Sequence, residues 1–262
     1  MKKIFTGIMA AAVVLTAGCS KGENSGGMSF EKAQSEREVA LAGGNDAPSC
    51  KVMLEVLYAK SGNAEADKAV NNAIEDRLFA MQNLTMQQAV DSFANSYTAD
   101  YKQSLTPLYE VDKADPEKHA WYEYHYTVST KTQPGKDNVV VYVVETDCYE
   151  GGAHGIQQQL VMNFNTTTGE QLKLANIFVP GYERRLSDLL LAKLMDQLDV
   201  KTLDELKQKD YLYAVDMFPT ENFMLGEDEL TFIYNTYEIA PYSVGRTELK
   251  LKWDEVEDLL KR

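Results

Sequence analysis

Histidine and cysteine are scarce in this sequence, three of each in 262 residues, and the scarcity removes most metal and thiol chemistry at the outset. The histidines are His119, His125 and His154. His119 and His125 fall on one face of a predicted strand, but their separation of roughly 20 Å, at ~3.3 Å per residue, is too long to share an ion. No His-Glu-x-x-His, no Cys-x-x-Cys and no dense Asp/His cluster occurs, so neither a metal site nor a cofactor is expected. Gly-x-Ser-x-Gly, a phosphate-binding loop and a Ser-x-x-Lys with a base are absent too. Carboxylates, 40 in all, are too many for an acid–base pair to stand out. Cys148 and His154 would suit a thiol nucleophile and its base; in an oxidising compartment a strand-end cysteine beside a Gly-rich turn is the stronger reading. An enzyme is therefore not the expectation.

Long apolar runs are missing after the first 17 residues, where Lys2 and Lys3 precede an apolar stretch over 4–17. A positive start before a short greasy run has the form of an export signal, shorter than the ~20 residues a spanning helix needs. Its end, Leu15-Thr16-Ala17-Gly18-Cys19, resembles a lipobox, in which the cysteine is acylated and the chain cleaved before it. An ordinary cleaved signal ending near a cysteine is the alternative. The lipobox reading makes residues 1–18 a lipoprotein signal peptide, Cys19 the lipidation site and the Gly/Ser-rich 19–29 a flexible tether. The body then sits in the cell envelope, outside the cytoplasm, held to a membrane by lipid alone.

The formal charge of −14 repels nucleic acid and anionic headgroups and attracts cationic partners, although solubility accounts for it as well. With Cys19 acylated, Cys50 and Cys148 remain at the edges of predicted strands. They form either a disulfide or two partly buried thiols.

Residues 30–41 suggest an irregular strand, 43–48 a turn, and 51–59 a strand with Val52, Leu54, Val56 and Tyr58 on its buried face. Apolar stripes at helical spacing follow: one from Ala66 to Met81, another from Met86 to Tyr101 with Thr85 as N-cap. Residues 119–131 and 138–147 read as strands, the second so valine-rich that it is buried on both faces. Strands are also predicted at 157–165, 171–174, 223–225, 230–234 and 248–252. Helices are predicted at 182–198 and 203–209, with a terminal amphipathic one carrying Trp253, Val256, Leu259 and Leu260. Antiparallel strands with grouped helices make this an α+β chain.

Two loops stand out. Tyr149-Glu150-Gly151-Gly152-Ala153-His154-Gly155 carries three glycines in five positions, implying positive φ or close backbone approach. Its His154 either faces a ligand or fixes the turn. Residues 237–245 include Tyr237 and Tyr242, either a rigid aromatic binding surface or a packed corner. Gly151, Gly152, His154, Tyr237 and Tyr242 are thus the candidate ligand-binding residues.

These loops, with Phe164-Asn165, Thr168-Gly169 and residues 174–178 between them, resemble in order the extracytoplasmic domain of the anti-sigma factor RsiV. Such a domain also precedes the catalytic part of the peptidoglycan deacetylase PdaC. The resemblance implies two intimately packed halves, a PdaC-like module over 30–147 and an RsiV-like module over 148–262. It also implies a sensing role, with lysozyme as ligand. Neither a sigma-factor segment nor a deacetylase part is expected here, so a non-enzymatic binding or sensing lipoprotein is the leading expectation. Its partner would be lysozyme, another cationic protein or a cell-wall glycan. A wall-modifying hydrolase using His154, or a structural accessory lipoprotein, are the rivals. Radiolabelled palmitate is expected to enter the wild-type chain and not its Cys19→Ala form; an unlabelled wild type that fractionates like the variant would refute the anchor.

Overall fold

The computed structural model describes residues 23–43 and 46–261, so the expected signal peptide and Cys19 lie outside the described residues. Strands β1 (Glu23–Ser25) and β2 (Met28–Ala40) form an antiparallel hairpin with Ser25 opposite Met28. Gly26 and Gly27 join them at φ 59° and 88°, the positive pair that a two-residue primed turn requires. Over residues 23–29 this corrects the tether expected there. The Gly-Gly pair bends the chain into a sheet, so that Met28 and Phe30 are fully buried.

Strand β3 (Ser49–Ala59) pairs antiparallel with β2, after a turn closed by the Leu41 N–H donating to the Pro48 carbonyl at 3.0 Å. The predicted alternation buries Val52, Leu54 and Val56. Two helices follow, α1 (Ala64–Phe79) and α2 (Met86–Asp112). Thr85 caps α2 as expected: its side chain accepts from the Gln88 N–H, and the Gln88 side chain returns to the Thr85 N–H. The chain re-enters the sheet as β4 (Tyr124–Pro134), parallel to β3. Parallel neighbours need a long crossover; α1 and α2 supply it and cover one sheet face with Ala66, Val70, Ile74, Ala89, Val90 and Ala94.

The strand predicted from residue 119 starts later, because Pro116–Tyr122 is a 3-10 helix. Pro116 stands at its first turn, Asp115 caps it, and the Tyr122 hydroxyl is held by Asp112 at 2.7 Å. These local bonds outweigh the alternating pattern. His119 therefore shares no strand with His125; its ring packs edge-on to Tyr109.

Strands β5 (Val139–Glu150), β6 (Ile156–Asn165) and β7 (Gln171–Leu172) complete a seven-stranded sheet in the order β1-β2-β3-β4-β5-β6-β7. Only β3 and β4 run parallel in it. As its valines predict, β5 is buried on both faces over residues 139–144. Val140, Tyr142 and Val144 enter the core under α1 and α2; Val139, Val141 and Val143 enter a second core. A boundary at 147/148 falls inside this strand.

The second core is roofed by the short α3 (Leu174–Ile177), α4 (Tyr182–Gln197) and α5 (Leu203–Gln208). A three-stranded sheet of β8 (Phe223–Leu225), β9 (Glu229–Tyr234) and β10 (Thr247–Lys252), ordered β10-β9-β8, completes it. The terminal helix expected is a 3-10 segment, Trp253–Leu259, that buries Val256 and Leu259, a pair that a three-residue repeat aligns on one side. The α+β architecture is as expected. No helix among the described residues is long and apolar enough to cross a membrane.

Side-chain amides dock the small sheet on β6. Asn222 Oδ1 accepts from the Val161 N–H at 2.8 Å, while Asn222 Nδ2 donates to the Gln159 carbonyl at 2.8 Å and the Ile233 carbonyl at 3.2 Å. Asn163 Nδ2 donates to the Phe223 carbonyl at 2.8 Å and its Oδ1 accepts from the Leu225 N–H at 2.9 Å. Asn235 Oδ1 accepts from the Gln159 N–H at 2.8 Å. Asn222→Ala is expected to cost about 3 kcal/mol in urea unfolding, because buried backbone groups lose their partners. The exposed Asn138→Ala should stay within ~0.5 kcal/mol.

Candidate functional site

Residues 151–155 link β5 to β6, and residues 235–246 link β9 to β10. The sequence marks these loops separately, and the fold brings them together. The His154 ring lies on that of Tyr242 with centroids 3.8 Å apart and planes at 7°. Tyr237 is tilted against Tyr242 with centroids at 6.0 Å. His154 is exposed, and Tyr237 and Tyr242 keep 58% and 36% of their surface exposed. The result is a three-ring surface open to solvent.

Glycine makes the first loop possible. Gly151 has φ 81°, and a Cβ there would stand 2.7 Å from the Trp121 carbonyl oxygen; any side chain is excluded twice over. Gly152 has φ 94° with open space around it, and its carbonyl accepts from the Tyr149 hydroxyl at 2.9 Å. Gly151 and Gly152 thus shape the loop, while His154 is the member that presents a ring. Tyr237 itself sits at φ 72°, an uncommon conformation for a bulky residue. Its N–H donates to the Ala240 carbonyl at 2.9 Å, which holds the turn.

Tyr242 also borders a cavity of about 580 Å³ whose other walls include Gln157, Gln197, Thr236, Arg246 and Glu248. Arg246 is fixed there by Glu145 at 3.2 Å and Glu248 at 3.5 Å. Amides, a guanidinium, a carboxylate and a ring on one wall are the groups that recognise polar ligands. Gln157, Arg246 and Glu248 carry no sequence signal; only the pairing of β5 with β6 and of β9 with β10 places them beside Tyr242. A larger cavity, about 850 Å³, lies along β2, β3, β4 and α2 and includes none of the predicted site residues.

The other candidates stand apart. Cys50 and Cys148 are free thiols, which corrects the disulfide alternative. Cys50 lies opposite Tyr124 on β3 and Cys148 opposite Tyr126 on β5, so β4 separates them. Two strand spacings of roughly 4.8 Å exceed the ~4.4–6.8 Å Cα separation that a disulfide spans. Burial pushes the Cys50 thiol up to about 11 and also raises Cys148, helped by the nearby Glu150. Both thiols are accordingly protonated at neutral pH, poor nucleophiles. Among the described residues His154 forms no ion pair, whereas His125 lies 3.5 Å from Asp147. No group of three or more His, Cys, Asp or Glu among them is arranged to hold a metal ion.

A family described as a protein of unknown function, DUF3298, matches residues 175–254. A member of that family from Bacteroides fragilis, known by crystal structure, is 30% identical with a TM-score of 0.84, over 92% of this chain and 96% of that one. A DUF3298 protein from Pseudomonas aeruginosa, 18% identical over 88% of this chain and 94% of its own, shares the fold with a TM-score of 0.57. No curated protein matches.

Gly151→Ala should lower the melting temperature more than Gly152→Ala, because only the first adds a steric clash to the φ strain of roughly 1–3 kcal/mol. The His154 ring protons should also lose their ring-current shift in Gly151→Ala. Equal melting temperatures would remove the close approach to Trp121 as the reason for glycine at 151.

Proposed function

The chain belongs to the DUF3298 family, whose function is unknown, and from that starting point we propose a non-catalytic binding module of the cell envelope. The observation that carries this reading is the exposed His154–Tyr242–Tyr237 surface beside a polar cavity. Rigid aromatic side chains offer large contact areas while losing little rotamer entropy on binding. Their protein-facing sides are held by neighbouring loops, so the surface is formed before a ligand arrives.

A general base needs a proton to take and, usually, a group that orients its ring. His154 is stacked on a ring rather than paired with a carboxylate, which supports the binding role over hydrolysis. The likeness to the RsiV domain and the charge of −14 favour a cationic protein as ligand, lysozyme first. A cell-wall glycan is the other ligand to try, since sugar rings also lie on aromatic faces. The lipid anchor at Cys19 and the position outside the cytoplasm belong to the same proposal and rest on the leader sequence.

Residues 20–262 are expected to bind lysozyme or soluble peptidoglycan fragments in a calorimetric titration. Tyr242→Ala should weaken binding by about tenfold, the loss typical of an aromatic hot spot. With lysozyme, affinity should also fall as salt rises. No heat with either ligand at low salt would refute the module's envelope role as stated.

A further inference from the structure

Beyond Tyr237 the same loop meets a segment with no helical or strand repeat, residues 210–219. The segment is pinned from behind. The Leu212 N–H donates to the Ile239 carbonyl at 2.9 Å, and the Tyr211 hydroxyl lies 3.2 Å from Thr247 Oγ1. Tyr211, Leu212 and Met217 are buried, yet Tyr213 and Val215 between them are 72% and 42% exposed. Apolar side chains pushed outward by buried anchors on both sides are presented surface, not a failure of packing. Three non-glycine residues at positive φ flank the junction: Asp210 at 66°, Leu212 at 54° and Tyr237 at 72°. Strained backbone held by surrounding bonds recurs where a protein meets a ligand.

Between the two segments lies a cavity of about 370 Å³. Its walls include Tyr213, Val215, Tyr237 and Pro241, together with the acidic residues Asp210 and Glu238. No Lys, Arg or His lines it. Among the described residues neither carboxylate is in an ion pair. One Glu238 oxygen, Oε2, is buried without a hydrogen-bond partner. Burial holds the Glu238 carboxyl above the usual carboxylate range, against the opposing effect of hydrogen bonds from Asn235. A partly desolvated acid with no counter-charge gains from a cation placed nearby.

We propose that this cavity receives a basic side chain of a protein partner, its aliphatic stem against Val215 and Pro241 and its cationic head among Tyr213, Tyr237, Asp210 and Glu238. The walls fit such an occupant better than a bare ion. A metal ion would want an oxygen cage, whereas four of these six residues present rings or aliphatic groups. Tyrosine faces attract ammonium and guanidinium groups, and the long stems of Lys and Arg cover apolar surface while their heads stay polar. The proposal rests on the binding role above and refines it by naming the chemical class that one of its surfaces recognises.

The test titrates the protein with the N-acetyl N-methylamides of lysine, arginine and norleucine, following the ring signals of Tyr213 and Tyr237. The lysine or arginine compound should shift both rings, and norleucine should shift neither. Glu238→Gln should weaken the basic compound by roughly tenfold at an unchanged melting temperature. If that variant melts lower, Asp210→Asn, at an exposed position, carries the same expectation. An equal response to norleucine, no response to either basic compound, or unaltered affinity in the stable variant would overturn the proposal. Lysozyme binding without any response to the basic compounds would sink the cavity alone. A response to them without binding of lysozyme or wall fragments would keep the cavity and sink the broader reading.

Discussion

The first half of β5, residues 139–144, has no solvent side, and the two halves of the molecule are built on that fact. The successive valines of β5 send Val140 and Val144 into the core beneath α1 and α2, and Val139, Val141 and Val143 into the core beneath α4 and the small sheet. A strand buried on both faces leaves its backbone only in-plane partners, and β4 supplies them over residues 140–150 and β6 over residues 139–148. Neither core would be complete without β5, so the halves cannot be separated at the sheet. The outer edge of β6 carries the second constraint. Its backbone groups at Gln159 and Val161 are met by the side-chain amides of Asn222 and Asn235. An amide offers a donor and an acceptor in one plane, as a peptide group does, and so extends the hydrogen bonding of the sheet without adding a strand.

The candidate site follows from this scaffold. The loop carrying His154 is the link between β5 and β6, and the loop carrying Tyr237 and Tyr242 is the link between β9 and β10. Because Asn222 and Asn235 fix the small sheet on β6, the two links end on the same side, and the rings of His154 and Tyr242 meet. Precision there is set by buried amides and a steric exclusion at Gly151, and the exposed rings themselves need only fill the space allowed. The contrast with the cysteines is instructive. Cys50 and Cys148 share one face of the sheet, yet the insertion of β4 between their strands holds them apart.

Much of the fold was legible from periodicity and local chemistry. The alternation of β3, the doubly buried valines of β5, the apolar stripes of α1 and α2 and the Thr85 cap all depend on neighbours within a few residues. The exceptions lie where hydrogen bonds or packing that periodicity does not record decide. Residues 119–122 read as the start of a strand but are drawn into a 3-10 turn by Asp112, Asp115 and Pro116. The Gly26–Gly27 pair has a linker's composition, and becomes a hairpin turn because β2 offers β1 an edge. Tyr213 and Val215 carry no periodic signal, and their exposure is decided by Tyr211, Leu212 and Met217, which take the buried places around them.

The sequence by itself determined the α+β character, helices α1, α2, α4 and α5, the doubly buried strand and the two unusual loops, because each is written in spacing, capping or glycine content. Only the tertiary structure decided which of those features touch. The meeting of His154 with Tyr242, the separation of Cys50 from Cys148, and the union of Asp210 and Glu238 around one cavity depend on residues tens of positions apart. Strand order and amide docking fix those distances, and no local pattern records them.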